Sequence, residues 1–148
     1  ILASLFAGGK RLELERKARA RAMELLDFVG LADKAGDIIG HLTLGQVRLV
    51  DIARALASDP VLLMMDEPAA GLNDAETNNL ADMILRLKKE GMTMLVVEHD
   101  IDFIMSACDK IVVMDRGTKI ADDLPDRVRA DENVIAAYIG RRAAHAAH

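Results

Sequence analysis

Apolar residues recur at helical spacing in four places along the chain. Ala22, Leu25, Leu26 and Val29 follow the i, i+3, i+4, i+7 pattern of an amphipathic helix, and Gly30 stands where a left-handed cap would end it. A second helix is predicted from near Thr43, with Leu49, Ile52, Ala53 and Leu56 on one face. It stops before Asp59–Pro60, because proline disfavours helical geometry in its predecessor. A third is bracketed by Asn73 and Gly91 and places Leu80, Met83, Ile84 and Leu87 on its apolar face; Asn73 and Glu76 have the spacing of a capping box. A fourth, Ile101 to Cys108, repeats the pattern through Ile104 and Met105.

Three other stretches, Val61–Met65, Met94–Val97 and Ile111–Met114, are apolar without alternation. Such runs predict strands covered on both faces, as in a parallel sheet between layers of helix. From Val61 onward the order is strand, helix, strand, helix, strand, which is the pattern of a doubly wound α/β fold. Gly117 predicts a turn into a short strand at Thr118–Ala121, and a last helix is expected from Glu132 to Ile139, ending at Gly140. Before Pro60 there are helices and loops and no convincing strand. The expected division is therefore a helical piece over 1–60 and an α/β piece over 61–148.

Composition narrows the function classes. The chain has 148 residues, 51% hydrophobic and 29% charged, with a net charge of −5. That argues against disorder and against a basic nucleic-acid surface as the main feature. A chain of this size can remove roughly 70% of its extended surface from water, enough for a real core. The longest apolar runs fall far short of the ~20 residues of a membrane-spanning helix. The single cysteine, Cys108, excludes an internal disulfide framework and reads as a small buried apolar residue. The chain starts at Ile1 without the marks of a signal peptide, so it is expected to begin within a longer polypeptide. The ending RRAAHAAH reads as a frayed tail, although His145 and His148 are metal-binding residue types.

In an open parallel sheet, ligands bind beyond the carboxyl ends of the strands, where loops and helix starts converge. Asp66 and Glu67 occupy that end of the first predicted strand, and Glu98, His99 and Asp100 occupy it on the second. These groups suit phosphate chemistry with a hard cation: a carboxylate oxygen for Mg²⁺, a base for water and a donor for the terminal phosphate. The plain alternative is two solvated strand ends. The stretch HLTLGQVRLVDIARAL adds a capping box at Thr43 and Gln46, and Gly45 permits close approach to the backbone. Its helix start would offer amides and a positive dipole end to an anion. It could equally be a well-capped surface helix.

The motifs LTLGQ, ARALASDP, VLLMMDEP, AGLND and VVEHD occur in that order and spacing. In this they resemble the ATP-binding subunit of an ABC transporter, over essentially Ala20 to Gly140. The wording DEPAAGLN, the later VVEHD and the terminal AAYIG resemble the subgroup that imports branched-chain amino acids. The resemblance implies part of a P-loop NTPase (RecA-like) core, preceded by part of the helical signature subdomain. It implies that Asp66 holds Mg²⁺, that Glu67 polarises the hydrolytic water, and that His99 is the switch histidine at the γ-phosphate of ATP. Thr43, Gly45 and Gln46 match parts of the signature that reaches a partner's γ-phosphate across a head-to-tail dimer. Gly71, Leu72 and Asn73 match the D-loop that couples the two sites. Partners implied are a second nucleotide-binding subunit and a membrane permease, with the protein peripheral on the cytoplasmic face and no nucleic acid involved. Two positions depart from the commoner pattern: Leu44 stands for a signature glycine, which narrows backbone access, and Asn73 for the D-loop aspartate.

No G-x-x-x-x-G-K-[ST] occurs in the chain; the only Gly–Lys pair is Gly9–Lys10. The resemblance therefore covers the second half of such an ATPase, and the chain alone is expected to be inactive. In that fold the phosphate-loop strand lies between the strands ending at His99 and at Met114, so without it two strand edges are expected to be left unpaired, open to a second copy or an N-terminal half. The alternatives are an ATPase of the same superfamily outside transport, although Pro60 to Gly140 has no room for a coiled-coil insertion, and a natural half-domain acting as a non-catalytic binding module.

Overall fold

The structure is a computed structural model that describes residues 2–137, with side chains from residue 10 onward. The elements run α1 (Leu2–Phe28), α2 (Leu44–Leu56), β1 (Leu63–Asp66), α3 (Asp74–Lys89), β2 (Met94–Val97), α4 (Ile101–Ala107), β3 (Ile111–Asp115), β4 (Thr118–Asp123) and α5 (Pro125–Ala130). Short 3-10 turns at Ala32–Lys34 and Ile39–His41 link α1 to α2. Residues 132–137 are helical as expected, while Ile139, Gly140 and the histidines of the tail lie outside the described residues. The chain divides into two units, Ile1–Val97 and Glu98–His148.

In the first unit, β1 and β2 pair in parallel, with Leu63 opposite Met94 and Asp66 opposite Val97. A parallel pair needs a crossover, and α3 supplies it. The predicted apolar face of α3 is buried throughout, at Leu80, Met83, Ile84 and Leu87, and Ile52, Ala53 and Leu56 of α2 are buried too. Arg86 of α3 lies over the Phe28 ring, 4.3 Å from its centroid, and its Nη1 donates to the Phe28 carbonyl at 3.1 Å. That fastens α3 to the end of α1.

Helix α1 is far longer than the expected segment. Of the predicted face, Leu25 and Val29 are buried, Leu26 is half-buried and Ala22 is exposed, as is every residue from 10 to 24. Exposed pairs such as Arg11–Glu15 at 3.0 Å and Lys17–Glu13 at 2.8 Å stitch one turn to the next. Ion pairs at this spacing favour a helix without any apolar stripe, so periodicity could not reveal it.

In the second unit, β3 and β4 form an antiparallel hairpin with a register shift between Val113 and Met114. Its two-residue turn is Arg116–Gly117, at φ 47° and 81°. Positive φ at both positions is what a right-twisted hairpin favours, and glycine adopts it without steric cost. Ile111, Val128 and Val134 form the buried centre of this unit, with Ile104, Met105, Cys108, Val113, Ile120 and Ala121 packed around it.

The apolar runs predict strands covered on both faces, and here the structure differs. Burial alternates along β1, with Leu63 and Met65 buried and Met64 and Asp66 exposed. Leu95 and Val97 of β2 are exposed on the same face as Met64 and Asp66, because paired residues of parallel strands point the same way. Among the described residues, β1 and β2 have no third strand and β3 and β4 no other partner, so each sheet keeps open edges.

Candidate functional site

Thr43 is in extended conformation and caps α2: its Oγ1 accepts from the Gln46 amide at 3.2 Å, and Gln46 Oε1 accepts from the Thr43 amide at 2.9 Å. Asn73 and Glu76 repeat the arrangement at α3, with Asn73 Oδ1 accepting from the Glu76 amide at 3.0 Å and Glu76 Oε2 accepting from the Asn73 amide at 3.1 Å. Both boxes satisfy amides that helix starts otherwise leave without partners. The remaining oxygen of Glu76, Oε1, accepts from the Thr43 hydroxyl at 3.3 Å, which joins the two helix starts.

Gly45 is buried against this carboxylate: a Cβ at Gly45 would stand 2.6 Å from Glu76 Oε1. The position read as one for close approach is thus approached by a group of the same chain. Leu44 has its own use, since a Cβ at Gly71, which has φ 77°, would meet Leu44 Cδ2 at 2.9 Å. The amides of Leu44 and Gly45 have no hydrogen-bond partner among the described residues. A cleft of about 570 Å³ opens beside this junction, lined among others by Thr43, Gln46, Arg48, Glu76 and Asp82, and Arg48 Nε is buried without a partner there.

Asp66 ends β1, and the parallel register brings the carboxyl ends of β1 and β2 to the same edge. The Glu67 amide extends the ladder past the strand by donating to the Val97 carbonyl at 2.8 Å. Glu67 itself has φ 45°. A non-glycine residue rarely adopts this region, and such backbone is concentrated at functional sites. The turn is held by the Ala70 amide donating to the Glu67 carbonyl at 3.1 Å and by buried Pro68 and Ala69. Asp66 and Glu67 are exposed. Among the described residues no group of three or more His, Cys, Asp or Glu could enclose a metal ion. Magnesium does not require one: it keeps several waters and uses one or two carboxylates beside phosphate oxygens, so the exposed Asp66 fits that role.

His99 belongs to the second unit and its side chain is 68% exposed, whereas that of Glu98 is 1% exposed. Glu98 Oε2 accepts from the His99 amide at 3.0 Å and lies 3.7 Å from His99 Nδ1. Asp100 is occupied as the cap of α4, its Oδ1 accepting from the Phe103 amide at 3.1 Å. The first unit therefore brings Thr43, Gly45, Gln46 and Asn73 together at one junction and sets Asp66 and Glu67 at its sheet edge. The tie from Glu76 to Thr43 had no signal in the sequence, because a capping box names only the residue's partner on its own helix.

A profile described as ABC transporter matches residues 4–70, and one described as branched-chain amino acid ATP-binding cassette transporter matches residues 118–144. The high-affinity branched-chain amino acid transport ATP-binding protein BraF of Pseudomonas aeruginosa is 41% identical over 140 residues, covering 94% of this chain and 55% of BraF. Its counterpart LivG of Escherichia coli is 36% identical over 141 residues, covering 92% of this chain and 55% of LivG. Among solved structures, the ADP conformation of an ATP-binding cassette of an ABC transporter superposes with a TM-score of 0.77 at 33% identity, covering 84% of this chain and 50% of that one. A nucleotide-free cassette gives 0.76 at 31%, covering 82% and 50%. The chain spans about half the length of the curated relatives it matches.

Proposed function

Because the chain belongs to the ABC transporter family, we propose that it forms the signature and Walker B part of an ATPase subunit that drives a membrane permease, importing branched-chain amino acids. Residues 1–60 then belong to the helical signature subdomain and 61–148 to the ATPase core. The observation that carries the reading is the parallel pair β1–β2 closing on Asp66 and a left-handed Glu67, in the same unit as a capped helix start with free amides.

In this reading Asp66 would hold Mg²⁺. The bound ion supplies charge neutralisation at the β- and γ-phosphates. Glu67 orients the attacking water and takes up its proton. His99 donates a hydrogen bond to a γ-phosphate oxygen. The amides of Leu44 and Gly45, at the positive end of α2, face the phosphate held by a second subunit in a head-to-tail dimer, with Thr43 and Gln46 fixing the turn and Asn73 the D-loop. The subunit works at the cytoplasmic face of the membrane, and no described helix is long and apolar enough to cross a bilayer. The chain alone is inactive, since its sequence contains no loop to wrap a β-phosphate.

The test is phosphate release from MgATP by the complete cassette, this chain preceded by its phosphate-loop half. Hydrolysis is expected, with Asp66→Asn abolishing its magnesium dependence and most of its rate. A complete, folded cassette that binds no ATP would overturn the reading.

A further inference from the structure

We propose that Glu76 is a positioning residue that locks the signature turn to the D-loop turn, so that the two helix starts shift as one body. Its carboxylate has two oxygens with different employers. Oε2 closes the capping box of α3 on the Asn73 amide at 3.1 Å, and Oε1 accepts from the hydroxyl of Thr43, the cap of α2, at 3.3 Å. A residue serving only its own helix would need one of these bonds. Thr43 Oγ1 meanwhile accepts from the Gln46 amide at 3.2 Å, so the chain of bonds runs from the Asn73 amide through Glu76 and Thr43 to the first turn of α2. A carboxylate that accepts two such bonds is a stronger tie than a neutral acceptor.

Steric fit closes the same seam at two further points. Gly45 leaves room for the Glu76 carboxylate, since a Cβ would come within 2.6 Å of Oε1, and Gly71 leaves room for Leu44, since a Cβ would come within 2.9 Å of its Cδ2. Each glycine lies in one turn and yields to a side chain from the other. Leu44 in place of a signature glycine is thereby explained: it is the signature turn's apolar contact on the D-loop. The consequence for ATP turnover rests on the function proposed above, while the linkage itself does not.

Amide exchange on the 148-residue chain tests the linkage without nucleotide. Glu76→Ala is expected to speed exchange at Gln46 by about tenfold as well as at Asn73, because the loss crosses from α3 to α2. Thr43→Val should speed exchange at Asn73, and Thr43→Ser, which keeps the hydroxyl, should restore it. Gly45→Ala, which pushes Glu76 away, should reproduce the Glu76→Ala pattern if that variant does not fold. Changes confined to Asn73–Thr77 in Glu76→Ala would overturn the linkage and leave a simple cap. In the complete cassette, Glu76→Ala should lower kcat several-fold with KM for ATP unchanged, since Glu76 positions the two turns and touches no nucleotide. An unchanged kcat would overturn the positioning role. A parent cassette without turnover would defeat the functional reading, and the exchange result would still decide the linkage.

Discussion

Glu67 is held at φ 45° by a turn closed on its own carbonyl and by its amide's bond to Val97. This takes the residue after the strand out of the pleat, so its carboxylate need not follow the alternation that sets Asp66. Two adjacent carboxylates can then serve different tasks, one at a cation and one at a water. Glu67→Gln in the complete cassette keeps the shape and loses the proposed base. Turnover is expected to fall about 10²- to 10⁴-fold, the usual contribution of a general base, while ATP stays bound and the dimer persists. Phosphate release and size-exclusion chromatography with ATP check this, and unchanged turnover would contradict the assigned role. Asp66 and Glu67 were legible in the sequence because an apolar run ends at them before a proline. The left-handed backbone was not legible, since glutamate has no preference for it and only the surrounding turn imposes it. Gly45 was legible as a close-approach position but not as to what approaches, because Glu76 lies 31 residues further along the chain and meets it only in the folded unit.

Elements with an apolar period were placed within a few residues: α2 and α3 begin at the caps their sequences predict, because side-chain caps are local chemistry, and α4 begins at the expected Ile101. Those without a period were not. The exposed stretch of α1 from Arg11 to Glu24 carries ion pairs instead of an apolar face, and α5 is six residues starting at Pro125, too short to show a face. Strand β4 runs to Asp123, beyond the expected Ala121, because Asp122 and Asp123 continue the ladder opposite Val112 and Ile111. Asp122 is also the electrostatic centre of this hairpin. Its carboxylate accepts from Lys110 Nζ at 2.7 Å and from Lys119 Nζ at 2.9 Å. These hydrogen bonds, Lys110 first, lower its pKa from 3.8 to about 2, and the same bond raises Lys110 above its ordinary 10.5. A carboxyl depressed in the folded state stabilises above its unfolded pKa, and that stabilisation is lost as pH falls through the folded one. The hairpin contribution should therefore be present above pH 3.8 and disappear toward pH 2. Asp122→Asn should flatten this part of the pH profile in denaturant midpoints of the chain. The slope should be modest, because the pair faces solvent and is screened by salt.

At the scale of the whole molecule, the sequence describes a protein with more cover than these residues supply. The continuous apolar runs of the three central strands suit burial on both sides, yet Met64 is 66% exposed, Val97 54% and Met114 54%. Apolar side chains beside open strand edges form a surface that associates. The chain spans about half the length of BraF and LivG, and in the reading proposed above these strands meet their neighbours in a full cassette. This governs how the chain behaves by itself. It should self-associate as its concentration rises through the micromolar range, and Leu95→Lys with Val97→Lys should suppress association without unfolding it, because both side chains already face water. Light scattering reads this directly. The same chain should give no calorimetric signal with MgATP, because free amides at one helix start and the one carboxylate proposed for the cation offer a triphosphate too few contacts to offset its desolvation and ordering. A monodisperse monomer that binds ATP at micromolar affinity would mean that these exposed faces are a finished surface and not half of a shared core.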